Sequence, residues 1–255
     1  MAPPLLRCSP RLHQKITNKF MHLNDYFSLN NDRVLFTREQ GSRFAKKVAG
    51  DFNPLHNPDS KLFCVPGDLL FSVALSKYGV SEHMRVVFSG MVGDGVPLNF
   101  PEAQNGNIDI VDDSGKTYLS IERDGNTSTD PQLVETLACN YVQFSGTAFP
   151  SVLVPLMKEH GVMINPDRPM VIYQSMEIHL DRLDIQEPIL ELCDTSLAFN
   201  GRKGNICLEF CVRADGELIG KGAKYMALRG LRDFEQDKIQ MLVDDYVATK
   251  AAYAG

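Results

Sequence analysis

Apolar positions along this chain switch between two periods, and each switch marks an element. Thr37-Arg38-Glu39-Gln40 sets a threonine three residues before a glutamine, which predicts a capping box at a helix start. Phe44, Ala45 and Val48 give that helix an apolar stripe, and Ala49-Gly50-Asp51 predicts its end. Leu69-Leu70-Phe71-Ser72-Val73-Ala74-Leu75 is apolar nearly all round, so a buried helix is expected there, stopping at Gly79. Strand-like runs follow over 84–91, 96–100, 108–111 and 117–121, with Asp112-Asp113-Ser114-Gly115 as the hairpin turn between the last two.

The order then recurs. Phe144-Ser145-Gly146-Thr147 is expected to open a second apolar helix through Val152, Leu153, Leu156 and Met157, capped at Gly161. Strands are expected over 170–180, 189–200, 204–214 and 218–228, turning at Asn200-Gly201 and Ala214-Asp215-Gly216. A buried helix followed by an antiparallel sheet, twice over, predicts a duplicated α+β unit. The expected divisions are an arm over 1–30 with one short helix near 11–26, a first unit over 31–130, a second over 131–233, and a C-terminal helix over 234–255.

Composition narrows the class. A chain of 255 residues, 44% apolar and 23% charged, is that of a soluble globular protein with a real core. A net charge of -6 argues against a nucleic-acid partner. No apolar run approaches the ~18 residues that a membrane span needs, and Pro3-Pro4 breaks what a signal peptide would require. The six cysteines include no Cys-x-x-Cys pair and no cysteine–histidine cluster at metal spacing, so no metal is expected. Cys207 and Cys211 read as small buried hydrophobes on one strand face, and the expected compartment is a reducing cytoplasm. His83, His160 and His179 have no partners at ligand spacing and read as polar surface or strand residues.

One segment carries chemistry. Ala49-Gly50-Asp51-Phe52-Asn53-Pro54-Leu55-His56 compresses a carboxylate, an amide, a rigid turn and an imidazole into a few residues. Pro54 fixes one dihedral and biases Asn53 away from helix, so the chain must turn after Asp51. Such a turn can bring Asp51 and His56 into one small volume, where one group polarises water and the other handles the second proton. Asn53 suits a local hydrogen bond that stiffens the turn. The plain alternative is a structural turn, with Asp51 ending a helix and His56 satisfied locally.

This segment resembles the signature of MaoC-like, (R)-specific enoyl-CoA hydratases, in which Gly-Asp-x-Asn-Pro-hydrophobic-His follows a short helix. The likeness continues into Val65-Pro66-Gly67, similar to that family's entry to its long central helix. The resemblance implies an α+β double hot-dog fold: two antiparallel sheets, each wrapping a central helix, packed side by side. It implies Asp51 and His56 as the catalytic pair, Asn53 as a positioning residue and the Gly67 amide as oxyanion donor. A helix N-terminus, with unpaired N–H groups and partial positive charge, suits a developing enolate. The implied activity is that of a lyase of fatty acid metabolism, adding water reversibly to a trans-2-enoyl thioester. No cofactor is implied beyond coenzyme A or acyl carrier protein as the substrate's carrier, and homodimers are common on this fold.

Three departures keep other readings open. Asp59 lies three residues after His56 where the family usually has an aspartate two after. The stretch from His56 to Gly67 is shorter than usual. Asp68 stands where an apolar residue is typical. Turned inward, that carboxylate opposes an oxyanion; turned toward the helix N-terminus, it is a favourable dipole residue. It also makes Asp68 an alternative acid for an acyl-thioesterase. A non-catalytic acyl-thioester binding module is the third reading. Cys64, beside the segment, reads as a buried free thiol rather than a nucleophile. The second half shows no counterpart of the signature, and Gly146, which parallels Gly67, receives no role.

Overall fold

A computed structural model describes residues 22–104 and 106–254. The helix expected near 11–26 lies outside the described residues, apart from a 3-10 turn at Leu23–Tyr26. Helix α1, Arg38–Phe44, starts on the expected box: Gln40 N donates to Thr37 Oγ1 at 3.2 Å and Thr37 N to Gln40 Oε1 at 2.9 Å. It widens into a π-helical turn, Ala45–Ala49, and stops where Gly50 takes the left-handed conformation. Helix α2, Gly67–Tyr78, is buried on nearly every side and ends at Gly79.

The strands are β1 (Ser28–Asn30), β2 (Arg33–Leu35), β3 (Val80–Phe88), β4 (Leu98–Asn99), β5 (Asn107–Asp112) and β6 (Thr117–Ser128) in the first half. The second half has β7 (Val162–Met163), β8 (Met170–Leu180), β9 (Ile189–Asn200), β10 (Lys203–Ala214), β11 (Glu217–Arg229) and β12 (Arg232–Asp233). Ten of them form one sheet in the order β1-β2-β4-β5-β6-β3-β8-β11-β10-β9, and β7 pairs separately with β12. Neighbours are antiparallel throughout, and the β3–β8 pairing, Val86 opposite Met176, joins the halves.

Helices α3 (Pro131–Gly146), α4 (Ala148–Ser151), α5 (Leu153–Glu159) and α6 (Gln236–Ala254) complete the chain. One core gathers Leu69, Phe71 and Leu75 of α2 with Val86, Ile110 and Leu119 of the first half-sheet and Leu133 and Tyr141 of α3. A second gathers Leu153, Leu156 and Met157 of α5 with Ile206, Leu208 and Leu228 of the second half-sheet and Ile239 of α6. This is an α+β double hot-dog architecture, with α2 and α5 as its two central helices.

Three expectations need correction. Phe144–Thr147 closes a helix instead of opening one. Asp130 caps α3 by accepting from Gln132 N and Leu133 N, Pro131 holds its first position, and Leu133, Leu137 and Tyr141 form its buried stripe. Second, Phe149 is extended ahead of Pro150, so the second central helix is split into α4 and α5. Third, Cys193 and Cys211 are joined by a disulfide. Cys193 is the unpaired residue at a bulge of β9 against β10, which leaves it 6.0 Å from Cys211, Cα to Cα. Cys211 is therefore no buried free hydrophobe, and the cysteines no longer argue for a reducing compartment. His83 and His179 are exposed strand residues, as expected, and face each other, Nδ1 to Nδ1 at 2.9 Å, across the β3–β8 seam. No helix of the described residues is long and apolar enough to cross a membrane.

Candidate active site

The Asp51–His56 loop is built by its own hydrogen bonds. Asp51 Oδ1 accepts from Asn53 N at 2.9 Å, and Asn53 Oδ1 accepts from Leu55 N at 3.1 Å. Pro54–His56 forms a 3-10 turn with Asn53 as its cap, so Asn53 faces the loop's backbone. Arg38 ties down the following segment by donating to the Pro58 and Ser60 carbonyls. The remaining carboxylate oxygen, Asp51 Oδ2, lies 3.6 Å from His56 Nε2. On the other side of the ring, Nδ1 donates to the Cys64 carbonyl at 2.9 Å. The Cys64 thiol is free and buried. Burial works to lower the pKa of His56, but the hydrogen bonds with Cys64 and the Asp51 charge outweigh it and push it up to about 9. Asp59 is exposed and takes no part.

Opposite this loop is the start of α2. Pro66 at its N-cap has no capping side chain, and helix geometry leaves the Gly67 and Asp68 amides outside the intrahelical ladder. Gly67 sits in a tight place: a Cβ would lie 3.0 Å from the Phe88 ring and 3.1 Å from Tyr173, whose rings lie 4.1 Å apart, tilted by 34°. Asp68 turns inward and is 7% exposed. Its Oδ2 accepts from Ser145 Oγ at 2.5 Å, and its Oδ1 lies 3.7 Å from Lys224 Nζ. Lys224 also donates to Ser145 Oγ and sits 3.8 Å above the Tyr173 ring, and the Tyr173 and Tyr141 hydroxyls are hydrogen-bonded to each other. Burial raises the pKa of Asp68 against the Lys224 charge and the Ser145 hydrogen bond; burial lowers that of Lys224 against the Asp68 charge.

One cavity of about 520 Å³ is lined by Asp51, Asn53, His56, Gly67, Asp68, Ser145 and Lys224 together. That volume is in the range of small-molecule sites. The structure therefore brings together Asp51, Asn53, His56, Gly67 and Asp68, leaves Asp59 outside, and adds Ser145, Lys224 and Tyr173. Lys224 had a signal, as the lone charge in Ala223-Lys224-Tyr225-Met226-Ala227-Leu228. Ser145 had none beyond its place beside Gly146. Among the described residues, no group of three or more His, Cys, Asp or Glu could hold a metal ion.

The second half does carry a counterpart of the loop. Gly146 ends α3 as Gly50 ends the first helix, so it matches Gly50 and not Gly67. From there Gly146-Thr147-Ala148-Phe149-Pro150-Ser151-Val152 runs parallel to Gly50-Asp51-Phe52-Asn53-Pro54-Leu55-His56, with glycine and proline at the same spacing. Thr147, Phe149 and Val152 stand in place of Asp51, Asn53 and His56. The two copies touch: a Cβ on Gly146 would collide with the Ala49 carbonyl, and Tyr246 Oη donates to the Gly50 carbonyl at 3.1 Å. Ala148 and Phe149 line the same cavity.

The model of a family described as "Protein of unknown function (DUF3581)" matches residues 21–237. The chain belongs to the DUF3581 family. No curated protein matches its sequence. Solved structures similar to this DUF3581 member include an acyl-CoA thioesterase II, TesB2, from Mycobacterium marinum, at 12% identity and TM-score 0.38, covering 67% of this chain and 90% of that one. A tesB protein of Mycobacterium avium subs paratuberculosis matches at 10% identity and TM-score 0.46, over 81% of this chain and 96% of its own. A hot-dog protein of unknown function from Alicyclobacillus acidocaldarius matches at 10% and TM-score 0.44, over 81% and 97%.

Proposed function

We propose that the cavity takes an acyl thioester and that Asp51 and His56 add water reversibly across a trans-2-enoyl group, as in the MaoC-like hydratases that the loop resembles. The observation that carries this reading is the 3.6 Å approach of Asp51 Oδ2 to His56 Nε2 in a cavity that also holds the uncapped start of α2. With its pKa pushed up to about 9, His56 is an imidazolium at neutral pH. Asp51 then accepts a proton from water as its oxygen bonds to C3 of the enoyl group, and His56 Nε2 delivers a proton to C2. The Gly67 amide, aided by the helix dipole, stabilises the enolate oxygen in between. Passage of the proton from Asp51 to His56 resets the pair, and the net change is one water added.

A second reading, thioester hydrolysis, is favoured by the inward turn of Asp68. Its product is free CoA, whereas hydration consumes only the enoyl double bond. Crotonyl-CoA separates the two when enoyl absorbance and free thiol are followed together. Asp51→Asn and His56→Ala are each expected to cut hydration by ~10²–10⁴-fold with the far-ultraviolet circular dichroism unchanged. A wild-type protein that binds enoyl and acyl thioesters but turns over neither would defeat the enzyme reading in favour of a binding module.

A further inference from the structure

We propose that Ser145 is a nucleophile of this cavity, accepting an acyl group from the thioester while Asp68 takes its proton. The inference rests on the reading that the cavity binds an acyl thioester, and deepens it by naming a covalent route. Ser145 and Lys224, from α3 and β11 of the second half, meet Asp68, from α2 of the first. Ser145 Oγ–H already points at Asp68 Oδ2 across 2.5 Å, and Lys224 donates to the same Oγ from the other side. This is the arrangement of a nucleophile bonded to a base whose charge is balanced by a third group.

A merely structural network would be expected to satisfy all its members, yet the buried Asp68 Oδ1 makes no hydrogen bond among the described residues and has only the Lys224 charge, 3.7 Å away. An apolar trio would fill the same volume without the desolvation cost of two charges. The base is also the second residue of α2, so a carbonyl attacked by Ser145 lies beside a helix N-terminus suited to its oxyanion. Burial, by raising the pKa of Asp68, makes it the better base.

The step balances without any further reactant. Ser145 Oγ bonds to the carbonyl carbon, its proton passes to Asp68, the carbon–sulfur bond breaks, and the proton follows to the departing thiolate. Water activated by Asp51 and His56 then attacks the ester carbonyl. The carbon–Oγ bond breaks, Ser145 regains a proton, and the acid leaves. Lys224 is a positioning residue that fixes Asp68 and the Oγ lone pairs.

Acid quenching followed by intact-mass and peptide mapping tests this, with butyryl-CoA and p-nitrophenyl butyrate as acyl donors. A single butyryl adduct on Ser145 is expected, accumulating at least about tenfold over wild type in Asp51→Asn because deacylation loses its general base. Ser145→Ala and Asp68→Asn should remove it. Wild-type protein treated with a fluorophosphonate should be labelled on Ser145, a readout independent of how the variants fold. Absence of any mark on Ser145 from every probe, or an adduct that persists in Ser145→Ala, overturns the proposal. Acylation by the p-nitrophenyl ester alone, with neither CoA thioester turned over, would keep the nucleophile and remove the thioester reading.

Discussion

His56 is hydrogen-bonded through Nδ1 to the Cys64 carbonyl, and its Nε2 faces Asp51 at 3.6 Å. Its neighbours Asp51, Asn53 and Pro54 act within six positions of the chain, and this is why the loop was legible in the sequence: proline and asparagine dictate the turn whatever surrounds it. Its raised pKa gives a signed prediction. A folded value of about 9 against an ordinary 6.5 means that the stability His56 contributes is fully present below 6.5 and lost as pH rises through about 9. The unfolding free energy from denaturant titrations should fall by roughly 3 kcal/mol across that window in wild type and stay nearly flat in His56→Gln. Ser145 and Lys224 were not legible in the same way. They lie 79 positions apart, and a lone serine and lysine have no local pattern that says they will be buried together.

At the scale of elements, helix starts were readable where a cap and an apolar stripe coincide. Thr37 and Gln40 satisfy each other's backbone as their spacing predicts. Thr37→Ala should lower stability by about 1 kcal/mol, measured by chemical denaturation, and loosen the helix that delivers Asp51. Helix α3 carried equally good signals in Asp130-Pro131 and its stripe, but its last turn, Phe144–Gly146, resembles the opening of the apolar run that follows. Only the packed structure separates the two, because Gly146 is needed where α3 meets Ala49. The cysteines fail for a related reason. A β-bulge shifts Cys193 toward Cys211, and nothing in the strand's own alternation marks a bulge.

At the scale of the molecule, one cavity is lined by two copies of a loop, of which one carries Asp51, Asn53 and His56 and the other Thr147, Phe149 and Val152 at the same positions. The junction depends on close backbone approach. Gly146→Ala should therefore cost about 2–3 kcal/mol by overpacking, whereas Gly93→Ala, whose nearest neighbour is a Val96 methyl at 3.7 Å, should fall within ~0.5 kcal/mol of wild type in the same denaturation series. Sequence alone determined eight of the twelve strands among the described residues (β1, β2, β7 and β12 had no such signal), the duplication and the turn at Asp51–His56, because hydrophobic period, caps and proline turns act over a few residues. Tertiary structure alone decided that Asp68 faces inward, that Ser145 and Lys224 join it, and that the Thr147 to Val152 segment, through Ala148 and Phe149, lines the same cavity as the Asp51–His56 loop. Those facts depend on sheet register and on long-range packing, and burial pushes the pKa of Asp68 up and that of Lys224 down only once that packing is in place.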